Sequence, residues 1–436
     1  MRLRTVLVAG TVLREMFSFW TGHPFDFELW VRLGYFTARG VSPYGILPLV
    51  PGLSFADVFS LSSTSTIGYL PFWPFVTAAM YLLYTVVGFG NRFVYYFLLK
   101  QPIILGDMTL AYILYRVVKT ERPEKAVWAA AVWSFLPLSI IFSGVWGMFD
   151  SLAMAVVLAC LLSSSLSRRS SLSGLATFVK SVPLIYSIPL TLAKPRRWWG
   201  IIVAVLVPAL LTLLVSGLAG WPLSSVVRVV GSTLDKGGGS MSWYWIFGYL
   251  QYLGILGSQA VAPLWIIGDL WIPAVAVATA FAWRAFGLQS NAAVIKVMLV
   301  VTLVFLVFKA QVNEQYSVYL LALGILDASL IEPKRLKLVA ATAAAVAVYL
   351  VTNNLFLLRF TAPIYPEANI LDFALDLQYA YYRYTLELVA GVAFTLLNIV
   401  YLAWIWKDFR NERRARGAST AGETGKPRPG PLTLPT

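Results

Sequence analysis

From residue 5 to residue 406 the sequence is a near-continuous succession of apolar windows separated by short polar breaks. A bilayer core needs about 20 mainly apolar residues for each helical span, and this chain offers such windows from end to end. At 59% hydrophobic and 12% charged residues it has too little polar surface to cover a water-soluble domain. It reads as an integral membrane protein, multi-pass in the cell membrane. Strand-like alternation is absent, and every backbone amide in lipid must be satisfied internally. The expected fold class is therefore all-α, a polytopic membrane helical bundle.

Apolar segments at roughly 5–20, 70–88, 93–118, 126–142, 151–166, 172–192, 198–219, 260–283, 293–308, 316–331, 337–358 and 386–406 predict about 10–12 spans. The formal net charge of +14 would suggest nucleic acid in a soluble chain, but here the cations gather at segment ends. No nucleic-acid partner is expected. Arg2, Arg4, "KPRRWW" (194–199), Arg284, "EPKRLK" (332–337) and "KDFRNERRAR" (407–416) predict the cytoplasmic side. From residue 198 onward this labelling closes. Before it, either "KTERPEK" (119–125) and Arg168/Arg169 lie outside, or 70–88 and 172–192 are re-entrant or half-helices. The second reading suits 172–192, where Lys180, Pro183 and Pro189 interrupt the run. Both place the loops 21–69, 220–259, 309–316 and 359–385 outside.

The chain divides into a transmembrane domain over 1–406 and a basic, disordered cytoplasmic tail over 407–436. The N-terminal segment reads as a retained span, because Arg14 and Glu15 interrupt it and no small-x-small cleavage site follows. One cysteine, Cys160, permits no intrachain disulfide, and one histidine, His23, excludes a two-histidine metal site within the chain.

The first outer loop holds "FDFELWVRLGYFTARGVSPYG" (25–45). Leu29, Leu33 and Phe36 share one helical face and Glu28, Arg32, Tyr35 and Arg39 another, which predicts an amphipathic helix lying on the outer membrane surface. Asp26 and Glu28 stand about 200° apart around such a helix, so they are not a matched acid/base pair. Glu28 precedes Arg32 by four residues and predicts a surface ion pair. Asp26 fits either an N-cap or a general base at the membrane surface. Lys100 and Asp107, seven apart, can share a face in a structural role.

With "GYLPFWPF" (68–75), "GDMTLAYILYRVV" (106–118), "GVWGMFDSLAMAVVLACLL" (144–162), "SGLATFVKSVPLIYSIPL" (173–190) and "AQVNEQYSVYLLAL" (310–323), that stretch resembles, in order, the blocks of GT-C glycosyltransferases. The likeness is to lipid-phosphate-sugar-dependent members, nearest to the GPI mannosyltransferase I type and its archaeal relatives. It covers about residues 20–325 and rests on the ordered set, since each block alone is short. The resemblance implies a GT-C-like fold and puts Asp26 on the position of the family's essential aspartate, upstream of the Pro43–Tyr44 turn. Pro24 stands where the usual acidic motif begins, which weakens metal binding there. No cofactor is expected, and a divalent metal is left open.

The resemblance further implies an inverting transfer of a hexose, mannose or glucose, from a polyprenyl- or dolichyl-phosphate donor to a lipid-linked glycan or other acceptor outside the cytoplasmic face. Asp26 would be the base. Lys309, Lys180, Arg228 and Lys236 are candidates for the donor phosphate, and Asn313, Glu314, Gln315 and Tyr316 for the donor or sugar. Glu28, Asp150 and His23 complete the candidate active-site residues, with Asp150 also a potential partner of Lys180. Arg228 and Lys236 equally fit interface anchors, and Trp73, Trp243 and Trp245 fit either sugar stacking or an aromatic belt. The alternative function is a polytopic transporter or lipid flippase, with Lys100, Asp107, Asp150 and Lys180 along its pathway.

Overall fold

A computed structural model of the protein describes residues 2–23, 25–54, 67–193, 198–232, 241–257, 259, 267–353 and 381–423. Most of those residues are helical, with no strand among them. The expected all-α architecture is met.

Among the described residues five helices are long and apolar enough to cross a membrane, or six if one bent pair counts as a single span. They are α4 (Arg92–Glu121), α9 (Trp199–Leu218), α13 (Asn291–Phe308), α15 (Leu336–Asn353) and α16 (Tyr381–Glu423). The bent pair joins α5 (Pro123–Phe135) to Pro137–Trp146 at 56°. Of the 10–12 spans expected, these five or six are carried by one long helix or one bent pair each among the described residues. The other apolar windows form shorter helices, among them α3 (Phe72–Val87), α6 (Asp150–Ala159) and α14 (Ser317–Leu330). Every residue of α14 is buried, so its apolar run reflects a position among other helices rather than in lipid. The last helix continues to Glu423, beyond the point where the sequence suggested a tail.

The breaks follow from local chemistry. Arg122 precedes Pro123, which cannot continue α4, and Pro137 and Gly147 punctuate the next segment. Gly147 has φ +77°, and a Cβ there would approach the Phe27 ring to 2.6 Å. Segment 172–192 is indeed broken: α7 (Leu166–Val179) ends at the extended Lys180, Val182–Tyr186 form a 3-10 turn around Pro183, and α8 (Ser187–Leu192) follows. That break carries Lys180 out of any helix.

The first helix, α1 (Leu3–Ser18), packs on α4 and α5 through one buried network. Arg14 Nε donates to Asp107 Oδ2 at 2.5 Å, and its other nitrogens donate to the carbonyls of Gly10 and Ser134 and to Ser139 Oγ. Lys100 and Asp107 do not pair. Lys100 Nζ donates to Thr21 Oγ1 (2.6 Å) and to the carbonyls of Gly144 (2.8 Å) and Val145 (3.1 Å).

α2 (Asp26–Thr37) departs most from expectation. Nine of its residues, Glu28 and Arg32 included, are buried against α3, α4 and the Phe149 region. A Cβ at Gly34 would come within 2.6 Å of the Thr77 carbonyl, so α2 and α3 touch backbone to backbone. α2 buries residues on both of the faces the sequence distinguished, Leu29 and Leu33 on one and Glu28 and Arg32 on the other. The Glu28–Arg32 ion pair forms at 2.7 Å, but inside the protein, where Arg32 also donates to the Leu47 carbonyl. The i,i+4 spacing foretold the pair and could not foretell the chain segment that covers it.

Candidate active site

Where α2 begins, Phe25 is the N-cap residue and Asp26 is the first helical residue. The N-cap role suggested for Asp26 is thus taken by others: His23 Nδ1 accepts the Asp26 backbone N–H at 3.1 Å. That acceptor role puts the proton of a neutral ring on Nε2. His23 is itself fixed, its backbone N–H on the Trp146 carbonyl (3.0 Å) and its ring edge-on to Trp146 at 4.7 Å. The Asp26 side chain keeps 30% of its surface exposed, with His23 Nδ1 3.5 Å away. The free amides of the first turn favour a negative charge at this position.

Asp26 opens onto a cavity of about 430 Å³. Lys180, Lys309, Asn313 and Tyr316 also line it, so with Asp26 the lining charged and polar groups come from three places in the chain. Lys180 stands at the α7 break, with Nζ 2.6 Å from Asp150 Oδ2 and 4.9 Å from the Phe149 ring centre. Asp150 itself is fully buried at the first position of α6 and supports Lys180 from behind. Lys309 follows the last residue of α13, its Nζ 5.2 Å over Trp271. Burial depresses its pKa, against the pull of nearby Asp269. Among the described residues Lys309 forms no ion pair.

The polar patch after Lys309 divides. Asn313 and Tyr316 face the cavity, together with Gln311. Glu314 and Gln315 are buried off it, where Glu314 Oε1 accepts Asn353 Nδ2 at 2.6 Å. Burial raises the Glu314 pKa, an effect the Asn353 hydrogen bond partly opposes. Glu28 is committed to Arg32 and does not line the cavity. Arg228, exposed on α10 (Leu223–Ser232), is not among the lining residues, and Lys236 lies outside the described residues. Trp73 is stacked on Phe149 at 4.2 Å in the core, and the Trp243 indole donates to the Val307 carbonyl. Neither is a free stacking platform for a sugar.

Tyr69 is the lining residue that sequence reasoning missed. It sits 5.4 Å below Lys180 and edge-on to Trp30 and Phe149, and burial with the charges of Asp26 and Asp150 pushes its phenol well above the ordinary range. It stays a hydrogen-bond donor. Its only signal was its place within "GYLPFWPF", lost in a chain that is 15% aromatic.

The cavity wall opposite these charges is apolar, made by Ile185 and Ile188 with Ile272 and Val275 of α12 (Trp271–Phe286). Ile188 and Ile272 are 37% and 53% exposed, so part-exposed apolar side chains border the cavity. A larger cavity of about 580 Å³ lies at the other end of α12, with no acidic side chain among the described residues that line it. Among the described residues no three His, Cys, Asp or Glu side chains are placed to hold a metal ion. No family model matches this chain, and no curated protein matches it in sequence.

Proposed function

We propose that the protein is an inverting glycosyltransferase that takes a hexose, mannose or glucose, from a polyprenyl- or dolichyl-phosphate donor and passes it to a lipid-linked glycan or other acceptor outside the cytoplasmic face. The observation that carries this reading is the makeup of one cavity: a part-exposed carboxylate, two ammonium groups and a mouth bordered by part-exposed apolar side chains. A donor with a charged phosphate and a long hydrocarbon tail needs both the cations and the mouth.

In this reading Asp26 takes the proton of the acceptor hydroxyl as that oxygen bonds to the anomeric carbon. The bond from that carbon to the phosphate oxygen breaks from the opposite face, so the configuration inverts. The phosphate leaves with the electron pair, and Lys309 and Lys180 meet its growing charge in a poorly solvated place where each contact counts for more than in water. Tyr69 and Asn313 supply hydrogen bonds to phosphate or sugar. His23 holds the first amide of α2 and so positions Asp26.

The transporter or flippase alternative relied on four charges along a pathway. Two of them, Lys100 and Asp107, are fully buried in saturated networks and line none of the cavities described above. That weighs toward the enzyme.

Membranes containing the protein, supplied with radiolabelled polyprenyl-phosphate mannose or glucose and a lipid extract, test the proposal. Label should move to an acceptor with wild type and not with folded Asp26→Asn. Undiminished transfer by that variant sinks the assignment of the base, and movement of substrate across the membrane without transfer supports the alternative.

A further inference from the structure

The chain leaves α13 at Lys309 with extended backbone (φ −76°, ψ 128°) and is extended again at Asn313 (φ −78°, ψ 150°), where the 3-10 turn over Glu314–Tyr316 begins. Successive side chains of an extended segment point to opposite sides. That alternation is present here: Ala310 and Val312 are buried, whereas Lys309, Gln311 and Asn313 line the Asp26 cavity.

The buried side of this strip is fastened by Met241, Ser242 and Trp243. The Met241 backbone N–H donates to the Val312 carbonyl (2.9 Å), Ser242 Oγ to the Ala310 carbonyl (2.8 Å) and the Trp243 indole to the Val307 carbonyl (2.9 Å). α16 backs the fastening. The Trp243 backbone N–H donates to Thr395 Oγ1 at 3.2 Å, and a Cβ on Gly391 would lie 3.1 Å from the Ser242 carbonyl oxygen. The strip is thus held through its backbone, and its cavity-facing side chains take no part in holding it.

Those side chains carry unmet hydrogen-bonding capacity. Among the described residues the Gln311 side chain makes no hydrogen bond. Asn313 stands at the N-cap of the 3-10 turn, yet its side chain makes no cap bond, although asparagine commonly fills that role. The chemistry also changes along the strip. Lys309 can only donate, which suits the acceptor oxygens of a phosphate, while a carboxamide both donates and accepts, as does a sugar hydroxyl. One donor-only group followed by two donor–acceptor groups matches a hexosyl phosphate lying along the strip with its phosphate at Lys309.

We propose that Gln311, together with Asn313, reads the hydroxyls on carbons 3 and 4 of the hexose, the ring edge remote from the anomeric phosphate, and so determines which sugar is accepted. This rests on the reading of the Asp26 cavity as the donor site. Gln311 takes no proton in the transfer; it selects by hydrogen bonds that a donor lacking those hydroxyls cannot make.

The test uses the full-length protein in detergent and measures donor binding without acceptor, from ligand protection against thermal unfolding, alongside transfer. Polyprenyl-phosphate mannose, polyprenyl-phosphate glucose and the 3-deoxy and 4-deoxy forms of each are the probes. Wild type should bind its preferred hexose donor about tenfold more tightly than either deoxy form, the worth of a hydrogen bond. Gln311→Ala and Gln311→Leu should each abolish the preference at one of the two carbons, Asn313→Ala at the other, and the double alanine variant at both. Lys309→Gln should weaken all the donors alike and leave the preferences in place. The unfolding midpoint without ligand checks that each variant is folded. Equal binding of hexose and deoxy donors by wild type, or preferences unchanged in both Gln311 variants, overturns the proposal even where transfer occurs. Deoxy discrimination through Gln311 with no transfer to any acceptor upholds it and removes the transferase reading instead. Discrimination that appears only against deoxy acceptors assigns the strip to the acceptor sugar and overturns it.

Discussion

Two groups of charged residues inside this bundle have the same composition and opposite situations. Around α1, α4 and α5, Arg14, Lys100 and Asp107 have no exposed surface, and each is surrounded by partners. Around the start of α2, Asp26, Lys180 and Lys309 face a cavity, and among the described residues Asp26 and Lys309 lack the saturating contacts of the first group. An ion buried without compensation is strongly disfavoured, so the first group is what a stable structure requires of any charge in its core. The second group keeps hydrogen-bonding capacity in reserve, and a reserve has meaning only if something else binds there. A charge in an apolar segment does not by itself mark function; access and unmet capacity do.

The sharpest way to break this contrast is Asp26→Asn. It should lower transfer by about 10²–10⁴-fold, the usual worth of a general base, with the thermal unfolding midpoint unchanged. Arg14→Met should do the reverse: Asp107 is left buried and unpaired, at a loss of about 3–5 kcal/mol in stability, while transfer per folded molecule stays the same. A large loss of activity in folded Arg14→Met, measured on detergent-solubilised protein after size exclusion, would erase the distinction between the groups.

Lys180 belongs partly to both groups, since it pairs with Asp150 and also faces the cavity. Lys180→Met should therefore lose both stability and transfer. Adding Asp150→Asn removes the orphaned charge and should restore the unfolding midpoint but not the transfer rate.

Smaller effects sharpen the role of Lys309. Lys309→Met should raise the donor KM by about 10–100-fold, the range for a hydrogen bond to a charged group. Because burial depresses its pKa, Lys309 loses its proton at lower pH than an ordinary lysine. Donor affinity should fall as pH rises through that depressed value, and Lys309→Arg should move the fall to higher pH in a KM–pH profile. The smallest change is expected of Glu314→Gln. Its raised pKa means the neutral form suits the folded state, so it favours folding below the ordinary glutamate pKa and that contribution is lost as pH rises through the raised value. The glutamine keeps an acceptor for Asn353, and unfolding at neutral pH should be unchanged or slightly harder.

Local features were legible where local chemistry governs them. The Glu28–Arg32 pair follows from i,i+4 spacing, and the break at Lys180 from Pro183, and both are present. Asp26, Lys180, Lys309, Asn313 and Tyr316 were each picked out as candidates, and one cavity collects all five. Glu314 and Gln315 were picked with them and turn away, because a 3-10 turn over Glu314–Tyr316 sends adjacent side chains in different directions. An apolar run reads the same whether lipid or other helices cover it, and α14 is covered by helices.

The residues alone, then, determined an apolar helical chain, its breaks and its short-range ion pairs, since these depend on neighbours within a few positions. Tertiary structure alone decided which charges are satisfied and which are left facing a cavity. Asp26, Lys180 and Lys309 lie more than a hundred positions apart, and only the packing of α2, the α7 break and the end of α13 brings them onto one surface.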